Sequence, residues 1–436
     1  MKDPTKPPPV DPERAVREAA IDRFIRGEKP AAICRAVQRS PAWFYRVLAR
    51  YRQGGRAALA SRSRAPHRVH NRTGPATTAA IVRLRQTIAG GQEAELRYAD
   101  HGADALAAEL SRAGVAPPSR ATINRILHDQ HLTQPRRPPR KRGKWPDDFP
   151  WPTPTAPNAQ HLFDFVVRSI RGEGRCYGYN LLDAVRRWPF LQVAPAKTTE
   201  QVSRFLVRVW QELGLPGCLY FDNDPVWNGG GRGQRVLSTI VRLCLLVGIE
   251  VVFTPPDTPQ ANATMESFND LWQSNFWSRT TFRDLAHVQA ELPLFERYCQ
   301  QRRVVPEAAG RTAAQIAPDF VPVRLAQDFD RHQQSDKLPI TAGYGHFIRF
   351  VSSSGTFSIL NEKWQLDQEP WAGKTIRAVI DTQQQQLFVY HQPKGSTTCQ
   401  LVTQFDYPLG EAILPLAEAF QRSRPALWPP VAKTDC

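Results

Sequence analysis

The stretch HLFDFVVRSI (161–170) is an apolar run interrupted by one aspartate, and two further β-rich runs follow it directly. These runs, RCYGYNLLDAV (175–185) and WPFLQVAPA (188–196), predict three consecutive strands. Helix and strand patterns then alternate, with helices predicted over 198–213, 233–248 and 263–276 and strands over 218–222 and 249–254. This order predicts an α/β domain over residues 159–300, with a mixed sheet and helices on its faces.

Three carboxylates lie where strands end or helices begin in this pattern. Asp164 falls inside the first strand, Asp222 ends the fourth, and Glu266 falls in the first turn of the last helix. A folded sheet can bring the three to one edge, where they would repel one another and require a cation. Two Mg²⁺ ions, replaceable by Mn²⁺, are the expected partners, because paired hard ions stabilise the attacking and leaving oxygens of a phosphodiester.

The positive charge is concentrated in the first third of the chain. The formal net charge is +16, and residues 1–145 hold 29 Lys plus Arg against 12 Asp plus Glu. The rest of the chain is therefore nearly neutral. A basic N-terminal region joined to an acid-centred body suits a nucleic-acid enzyme, since the basic part provides phosphate affinity. A basic tail kept for solubility is the alternative.

The remaining composition excludes several classes of protein. No run approaches the ~20 apolar residues of a membrane span, and the N-terminus lacks the apolar stretch of a signal peptide. The seven cysteines form no CxxC pair, so neither a zinc ribbon nor a disulfide framework is predicted. We expect a cytoplasmic, nucleoid-associated protein that does not contact a membrane.

Residues 1–60 contain three short helical patterns, the last two separated by Gln38-Arg39. This spacing predicts a helix-turn-helix domain whose third helix, beginning after Ser40, enters the major groove. The residues nearest DNA would be Arg39, Tyr45 and Arg46. Any small three-helix bundle is the alternative.

A second helical triplet occupies residues 75–132 and predicts a second helix-turn-helix domain. Ser119 would cap its last helix, leaving Arg120, Asn124 and Arg125 to face outward. The segment between the two domains is rich in arginine, and its Arg62 and Arg64 are candidate minor-groove contacts.

Residues 133–158 are rich in proline and predict a linker. The linker opens with a basic cluster that could follow the DNA backbone or serve as a solvated tether. Its candidate DNA-binding residues are Arg136, Arg137, Arg140, Lys141 and Arg142.

The three carboxylate motifs together resemble those of bacterial insertion-sequence transposases in the retroviral-integrase superfamily. In that family an Asp on the first strand, an Asp-Asn-Gly after the fourth and an Asn-Gly-x-x-Glu after a Pro-rich loop form the DDE triad. Asp164, Asp222 and Glu266 match the triad, with Asn223 and Asn262 as supporting residues. The resemblance implies a ribonuclease H-like core in which all three carboxylates are catalytic and bind metal.

The sequence departs from these motifs at two glycines. Asp224 replaces the glycine after Asp-Asn, and Ala263 replaces the glycine after Asn262. Neither change removes a carboxylate, although Asp224 adds a negative charge beside the expected metal site. Asp224 is therefore an alternative metal ligand to Asp222.

Residues 335–410 contain five short strand patterns, which predict a small SH3-like β-barrel. Such a barrel could contact DNA or a neighbouring subunit, or could be a plain packing module. The family resemblance implies Mg²⁺-dependent cleavage and joining of double-stranded DNA, both transposon ends and target, by a homo-oligomer assembled on the DNA. A catalytically inactive DNA-binding regulator and a simple nuclease are the alternatives.

Overall fold

The computed structural model describes residues 11–62, 73–133, 149–228, 233–256, 258, 262–330, 337–423 and 426–431. The chain divides into two compact units, Met1–Arg72 and Thr73–Cys436. Each unit has its own apolar core. No described helix is both long enough and apolar enough to cross a bilayer.

The first unit is a three-helix domain. It contains α1 (Pro12–Ile25), α2 (Pro30–Ala36) and α3 (Pro41–Gly54), followed by a short 3-10 turn. Each helix has a proline in its first turn, where the missing N–H costs no hydrogen bond. The Ser40 hydroxyl accepts a hydrogen bond from the Trp43 backbone N–H at 3.2 Å, so the predicted cap of α3 is confirmed. The core consists of Ala20, Ile21, Ile33, Cys34, Phe44, Val47, Leu48 and Leu59.

The second unit opens with another helical triplet, α4 (Pro75–Gly90), α5 (Ala103–Arg112) and α6 (Arg120–Asp129). The predicted cap of α6 is also present, since the Ser119 hydroxyl accepts from the Thr122 backbone N–H at 3.3 Å. This helical region shares one apolar core with the rest of the second unit, since its Tyr98 and Leu106 belong to the same cluster as Trp272 and Phe295. The triplet thus packs against the α/β part of the chain within the same compact unit.

The centre of the second unit is a nine-stranded sheet. Its first five strands are β1 (Gln160–Ile170), β2 (Gly174–Asp183), β3 (Pro189–Ala194), β4 (Cys218–Phe221) and β5 (Glu250–Phe253). The intervening helices are α7 (Thr199–Glu212), α8 (Pro225–Asn228) and α9 (Thr239–Leu246). The spatial order is β3-β2-β1-β4-β5, with β1, β2 and β3 antiparallel and β4 and β5 parallel to β1. The mixed ribonuclease H-like sheet predicted from the sequence is therefore confirmed.

Alternation along β1 gives the sheet two buried faces. Phe163 joins the core that contains α7 and α9, whereas Leu162 and Val166 join the core on the opposite face. That opposite face is covered by α10 (Ala263–Trp272) and α11 (Leu285–Gln301), together with the helical triplet. Helix α10 ends in a short π-helical turn before α11 begins.

The helix α11 was not among the predicted elements, although Asp284 caps it by accepting from the His287 backbone N–H at 2.6 Å. It closes the open edge of the sheet through the backbone of β3. Gln289 donates to the Val193 carbonyl at 3.0 Å, and Gln300 donates to the Pro189 carbonyl at 3.1 Å. A sheet edge covered in this way is not available for pairing with another chain.

The C-terminal β-rich region is present, but the predicted SH3-like barrel is not confirmed. Its strands are β6 (Ile340–Thr341), β7 (Tyr344–Phe350), β8 (Thr356–Ile359), β9 (Glu362–Gln365), β10 (Thr375–Asp381), β11 (Gln386–His391), β12 (Gln400–Asp406) and β13 (Ile413–Leu414). A four-residue helix, α12 (Gln368–Trp371), precedes β10. Strand β7 pairs in parallel with β5, and β10, β11 and β12 follow in antiparallel order. The region therefore extends the central sheet, because β5 offers β7 a free backbone edge.

Candidate active site and DNA-binding surfaces

Asp164 and Asp222 emerge from neighbouring strands of the central sheet. Leu162 of β1 lies opposite Tyr220 of β4, and each aspartate follows two residues further along its chain. Leu162 and Tyr220 both belong to the core on the α10 side. The two aspartates are thus near one another on the side of the sheet that α10 covers.

The Asp164 carboxylate is held by two hydrogen bonds. Its Oδ2 accepts from the Asn269 side-chain amide at 2.7 Å, and its Oδ1 accepts from the Phe165 backbone N–H at 2.8 Å. Burial, with a smaller effect from the negative charges of Asp222 and Glu266, raises the pKa of Asp164 to about 6, and the two hydrogen bonds act against this rise. The three predicted carboxylates therefore act on one another electrostatically.

Asp222 lies in the exposed loop that follows β4. Its Oδ1 accepts from the indole N–H of Trp227 at 3.0 Å and from the Asp224 backbone N–H at 3.0 Å. Partial burial by the surrounding protein raises the pKa of Asp222, and the charge of Asp224 adds to this effect, whereas Lys197 opposes it. Trp227 is fully buried and stacks on Phe221, which anchors the loop to the core.

Both carboxylate oxygens of Asp224 have partners within the protein. Its Oδ2 forms an ion pair with the Lys197 ammonium, and its Oδ1 accepts from the Val226 backbone N–H at 3.1 Å. Lys197 also lies 5.3 Å from the centroid of the Phe165 ring. The Lys197 ammonium therefore offsets the negative charge that Asp224 adds beside Asp222.

Glu266 is exposed in the first turn of α10. Asn269 follows it by three residues, so the two side chains share one helical face, and Asn269 makes the contact with Asp164. The Asn269 side chain is itself hydrogen-bonded by the buried Asn180 of β2. Asn262 precedes α10 without capping it through its side chain.

The carboxylates do not form a ready-made metal site. Among the residues that the structure describes, no group of three or more His, Cys, Asp or Glu side chains is placed to hold a metal ion. The charges of Asp222 and Glu266 both act on Asp164. Binding of one ion by these carboxylates together stays a prediction.

Asn223 ties the Asp222 loop to neighbouring strands. Its side-chain amide donates to the Thr254 carbonyl at 2.6 Å, and its carbonyl oxygen accepts from Arg349 at 2.9 Å. Thr254 directly follows β5, and Arg349 belongs to β7. Asn223 therefore has a structural task next to Asp222.

The candidate DNA contacts of the first unit are exposed. Tyr45 is 57% exposed, and Arg46 is exposed one residue later on α3. Arg39 is also exposed and forms an ion pair with Glu13 at 2.7 Å. Trp43 is partly buried against the core, whereas Phe44, Val47 and Leu48 are buried within it.

The candidates of the second helical triplet are likewise exposed on α6. Arg120 pairs with Asp104 at 3.1 Å, while Asn124 and Arg125 are exposed on the same helix. Arg62 is exposed at the end of the first unit. The remaining basic candidates lie outside the described residues, namely Arg64, Arg136, Arg137, Arg140, Lys141 and Arg142.

Sequence reasoning missed four residues at this site: Asn269, Lys197, Trp227 and Arg349. Only Asn269 carried a signal, because its three-residue separation from Glu266 places it one helical turn along the same face. Asp270, the residue after Asn269, is exposed. The other three residues reach the site through folding alone.

Two family models match the helical region. Both are described as Homeodomain-like domain, and they cover residues 11–60 and 43–127. The first span contains the three helices of the first unit, and the second continues from α3 into α6.

Several solved viral integrase structures are similar to the chain at low identity. A chain of the simian T-cell lymphotropic virus intasome, in complex with PP2A regulatory subunit B56 gamma, is 14% identical, with a TM-score of 0.34 over 70% of this chain and 95% of that one. The BIV integrase catalytic core is 18% identical, with a TM-score of 0.28 over 37% and 95%. The HTLV-2 integrase catalytic core in complex with magnesium is 14% identical, with a TM-score of 0.28 over 37% and 96%.

Because these TM-scores are low, the assignment of the core fold rests on the strand order and strand directions of the chain itself. The N-terminal assignment rests on the family models and on the helices that they span. The chain therefore combines homeodomain-like helix-turn-helix domains with an α/β core of the ribonuclease H-like fold.

Proposed function

We propose that the chain is a DDE-type DNA transposase, a polynucleotidyl transferase that binds transposon ends and catalyses strand cleavage and strand transfer. The observation that carries this proposal is the electrostatic coupling of Asp164 with Asp222 and Glu266 at one edge of a ribonuclease H-like sheet. Homeodomain-like domains on the same chain support a DNA substrate.

The donor set fits a hard divalent cation. All three side chains offer carboxylate oxygens, and positive charge would favour the ionised form of Asp164, whose pKa is raised by burial and, to a smaller extent, by the charges of Asp222 and Glu266. Asp164 and Asp222 would hold one Mg²⁺ ion, and Asp164 and Glu266 a second, with Mn²⁺ as a substitute. When bound, the ions would supply Lewis-acid stabilisation of charge on the phosphodiester oxygens.

The protein's own residues would orient the carboxylates. Asn269 and the Phe165 backbone N–H fix both oxygens of Asp164, while Trp227 fixes Oδ1 of Asp222. In the first reaction water would replace the 3′ oxygen on phosphorus, and in the second the freed 3′-OH would attack target DNA. Each reaction exchanges one P–O bond for another, so neither requires an external energy source.

Exposed residues of α3 and α6 would recognise double-stranded DNA, and the basic arm and linker would follow the phosphate backbone. We retain residues 1–60 and 75–132 as DNA-binding regions, 133–158 as linker and 159–300 as the catalytic region. Two ends must be joined in concert, so the active form would be a homo-oligomer assembled on DNA.

Triad substitution tests the proposal. The transposon ends would first be identified. Duplexes that bind the intact protein would be selected from a random pool, and their sequences would be compared with the DNA that flanks the gene. Asp164→Asn, Asp222→Asn and Glu266→Gln should each abolish Mg²⁺-dependent cleavage and joining of end-containing duplexes, because an amide keeps the shape but removes the charge. DNA affinity should be unchanged, and Asp270→Asn is the matched control on an exposed carboxylate of the same helix.

Two other outcomes would contradict the proposal. Wild-type protein that binds end DNA but neither cuts nor joins it would be a catalytically inactive regulator. Cut products that are never joined would indicate a nuclease of the same fold. Activity that survives Asp222→Asn but not Asp224→Asn would move the second ligand to Asp224.

A further inference from the structure

Arg349 is a buried cation on β7, a strand of the C-terminal sheet extension. Its side chain is 7% exposed, and it donates four hydrogen bonds. The acceptors are the carbonyls of Ser358, Thr254 and Ile348 and the side-chain oxygen of Asn223, at 2.8 to 3.0 Å. The planar guanidinium suits such a set of diverging acceptors, which a lysine ammonium could not reach together.

All four acceptors of Arg349 are neutral. Among the described residues, no carboxylate forms an ion pair with it, and burial lowers its pKa to about 10. Burying a charge without an opposite charge is costly, so the hydrogen bonds of Arg349 must offset the desolvation of its guanidinium.

Two of these acceptors belong to the loops of the candidate active site. Asn223 is the residue after Asp222, and Thr254 is the residue after β5, where the chain enters the Pro-rich segment that leads to α10 and Glu266. The Asn223 amide also donates to the Thr254 carbonyl, so the two loops and Arg349 meet at one point. The parallel pairing of β7 with β5 brings Arg349 there.

We infer that Arg349 is a positioning residue that clamps the Asp222 loop to the end of β5, so that the C-terminal strands complete the active site. This inference rests on the proposed function for its catalytic consequence, but the clamp itself is a property of the fold. A core ending at residue 300 would lack the clamp.

The test compares Arg349→Lys with Arg377→Lys in the full-length protein. Arg377 is a matched control because it is 6% exposed on the adjacent strand β10 and packs on Trp428 and Tyr390, away from both loops. Amide hydrogen exchange should accelerate in residues 222–227 and 254–256 of Arg349→Lys and stay at wild-type rates there in Arg377→Lys. Mn²⁺ affinity, measured by calorimetry, should fall by roughly 10- to 100-fold in Arg349→Lys and stay unchanged in Arg377→Lys. A loss of this size is expected when a residue that supports a metal ligand from behind, here through Asn223 next to Asp222, is replaced.

The kinetic readout should show the same separation. Arg349→Lys should lower kcat for strand cleavage by about tenfold without changing KM for DNA, because the DNA-reading helices are elsewhere on the chain. If Arg349→Lys does not fold, Asn223→Ala removes the same contact from the loop side and should produce the same local exchange and loss of Mn²⁺ affinity.

Unchanged loop exchange and Mn²⁺ affinity in a folded Arg349→Lys protein would overturn the inference. Equal changes in Arg377→Lys would also overturn it, because they would indicate a general cost of replacing a buried arginine. A wild-type protein without cleavage activity would contradict the proposed function alone, since hydrogen exchange would still decide whether the clamp exists.

Discussion

At the scale of single residues, the candidate site contains a carboxylate, Asp164, whose ionised form lowers the stability of the fold. The folded protein raises the pKa of Asp164 to about 6 from an ordinary value of 3.8. A carboxylate shifted in this direction is easily buried when protonated and costly to bury when ionised. The ionised side chain is nevertheless the form that a metal ion would require.

The first prediction concerns Asp164→Asn and the pH dependence of stability. Below the ordinary pKa both states of the wild type are protonated, and as pH rises through about 6 the folded state loses stability. The variant lacks this loss, so at about pH 8 it should be more stable by about 1–2 kcal/mol, after discounting the shift for solvent access. The difference should vanish near pH 4, measured by urea unfolding.

Mg²⁺ provides the control for this prediction. The ion should raise the midpoint of thermal unfolding of the wild type but not of Asp164→Asn, because only the wild type offers the full donor set. Exposed Asp270→Asn should follow the wild type at every pH. A pH-independent difference between Asp164→Asn and the wild type would contradict the assigned pKa.

The second prediction concerns the ion pair of Lys197 with Asp224. Lys197→Met leaves Asp224 as an uncompensated charge beside Asp222, and should reduce Mn²⁺-dependent cleavage by disturbing the Asp222 loop. Lys197→Met combined with Asp224→Asn removes both charges and should restore most of that activity. A double-mutant cycle on unfolding should give a coupling of roughly 0.5–3 kcal/mol. Additive effects would show that the pair is incidental.

At the scale of elements, α3 carries one exposed arginine and one arginine that is hydrogen-bonded to the end of its own domain. Arg46 is exposed, whereas Arg50 donates to the carbonyls of Ala58 and Ala60 and holds the end of the domain. Two arginines four residues apart on the same helix thus have different tasks. The contrast gives a matched pair of substitutions.

The third prediction is that Arg46→Ala weakens DNA binding without destabilising the fold. If Arg46 contacts a base, the loss should be about 1–3 kcal/mol and should relax specificity at one position. Arg50→Ala should instead lower the thermal unfolding midpoint of the first unit. Binding by fluorescence anisotropy and unfolding by circular dichroism would measure the two effects. Equal loss of stability in both variants would contradict the assignment of α3 as the reading helix.

At the scale of the whole molecule, the second helical triplet is continuous with the α/β part of the second unit. Arg97 pairs with Glu291 at 2.7 Å, and Arg302 pairs with Glu109 at 2.6 Å. Arg279 also donates to the Ala99 carbonyl at 2.7 Å. These contacts, with the shared apolar core, place the natural boundary of the chain between residues 72 and 73.

The fourth prediction follows from that boundary. Fragments 1–72 and 73–436 should each fold cooperatively, and 1–72 should bind DNA with an affinity that falls steeply as salt rises. A cut within the linker, giving 1–145 and 159–436, should expose buried residues such as Tyr98 and Phe295 and cause aggregation. Light scattering and thermal unfolding would measure the outcome. Stable, monomeric 159–436 would show that the triplet is dispensable to the core.

The sequence by itself determined where most strands and helices of the core lie, although it did not indicate α11. Alternating apolar residues in 161–170 and helical spacing in 41–54 are local patterns, so they predicted β1 and α3 without knowledge of their neighbours. The three carboxylates were found as candidates from their places in these patterns, Asp164 inside β1, Asp222 directly after β4 and Glu266 in the first turn of α10.

The tertiary structure decided how those elements combine. Strand β7 could join β5 or close a barrel, since a strand pattern does not specify its partner, and the parallel pairing with β5 settled the choice. The contacts of Arg349 and Lys197 with the candidate site join residues 126 and 27 positions apart in the chain. Such contacts follow from packing and burial rather than from local preference, and therefore appear only in the folded molecule.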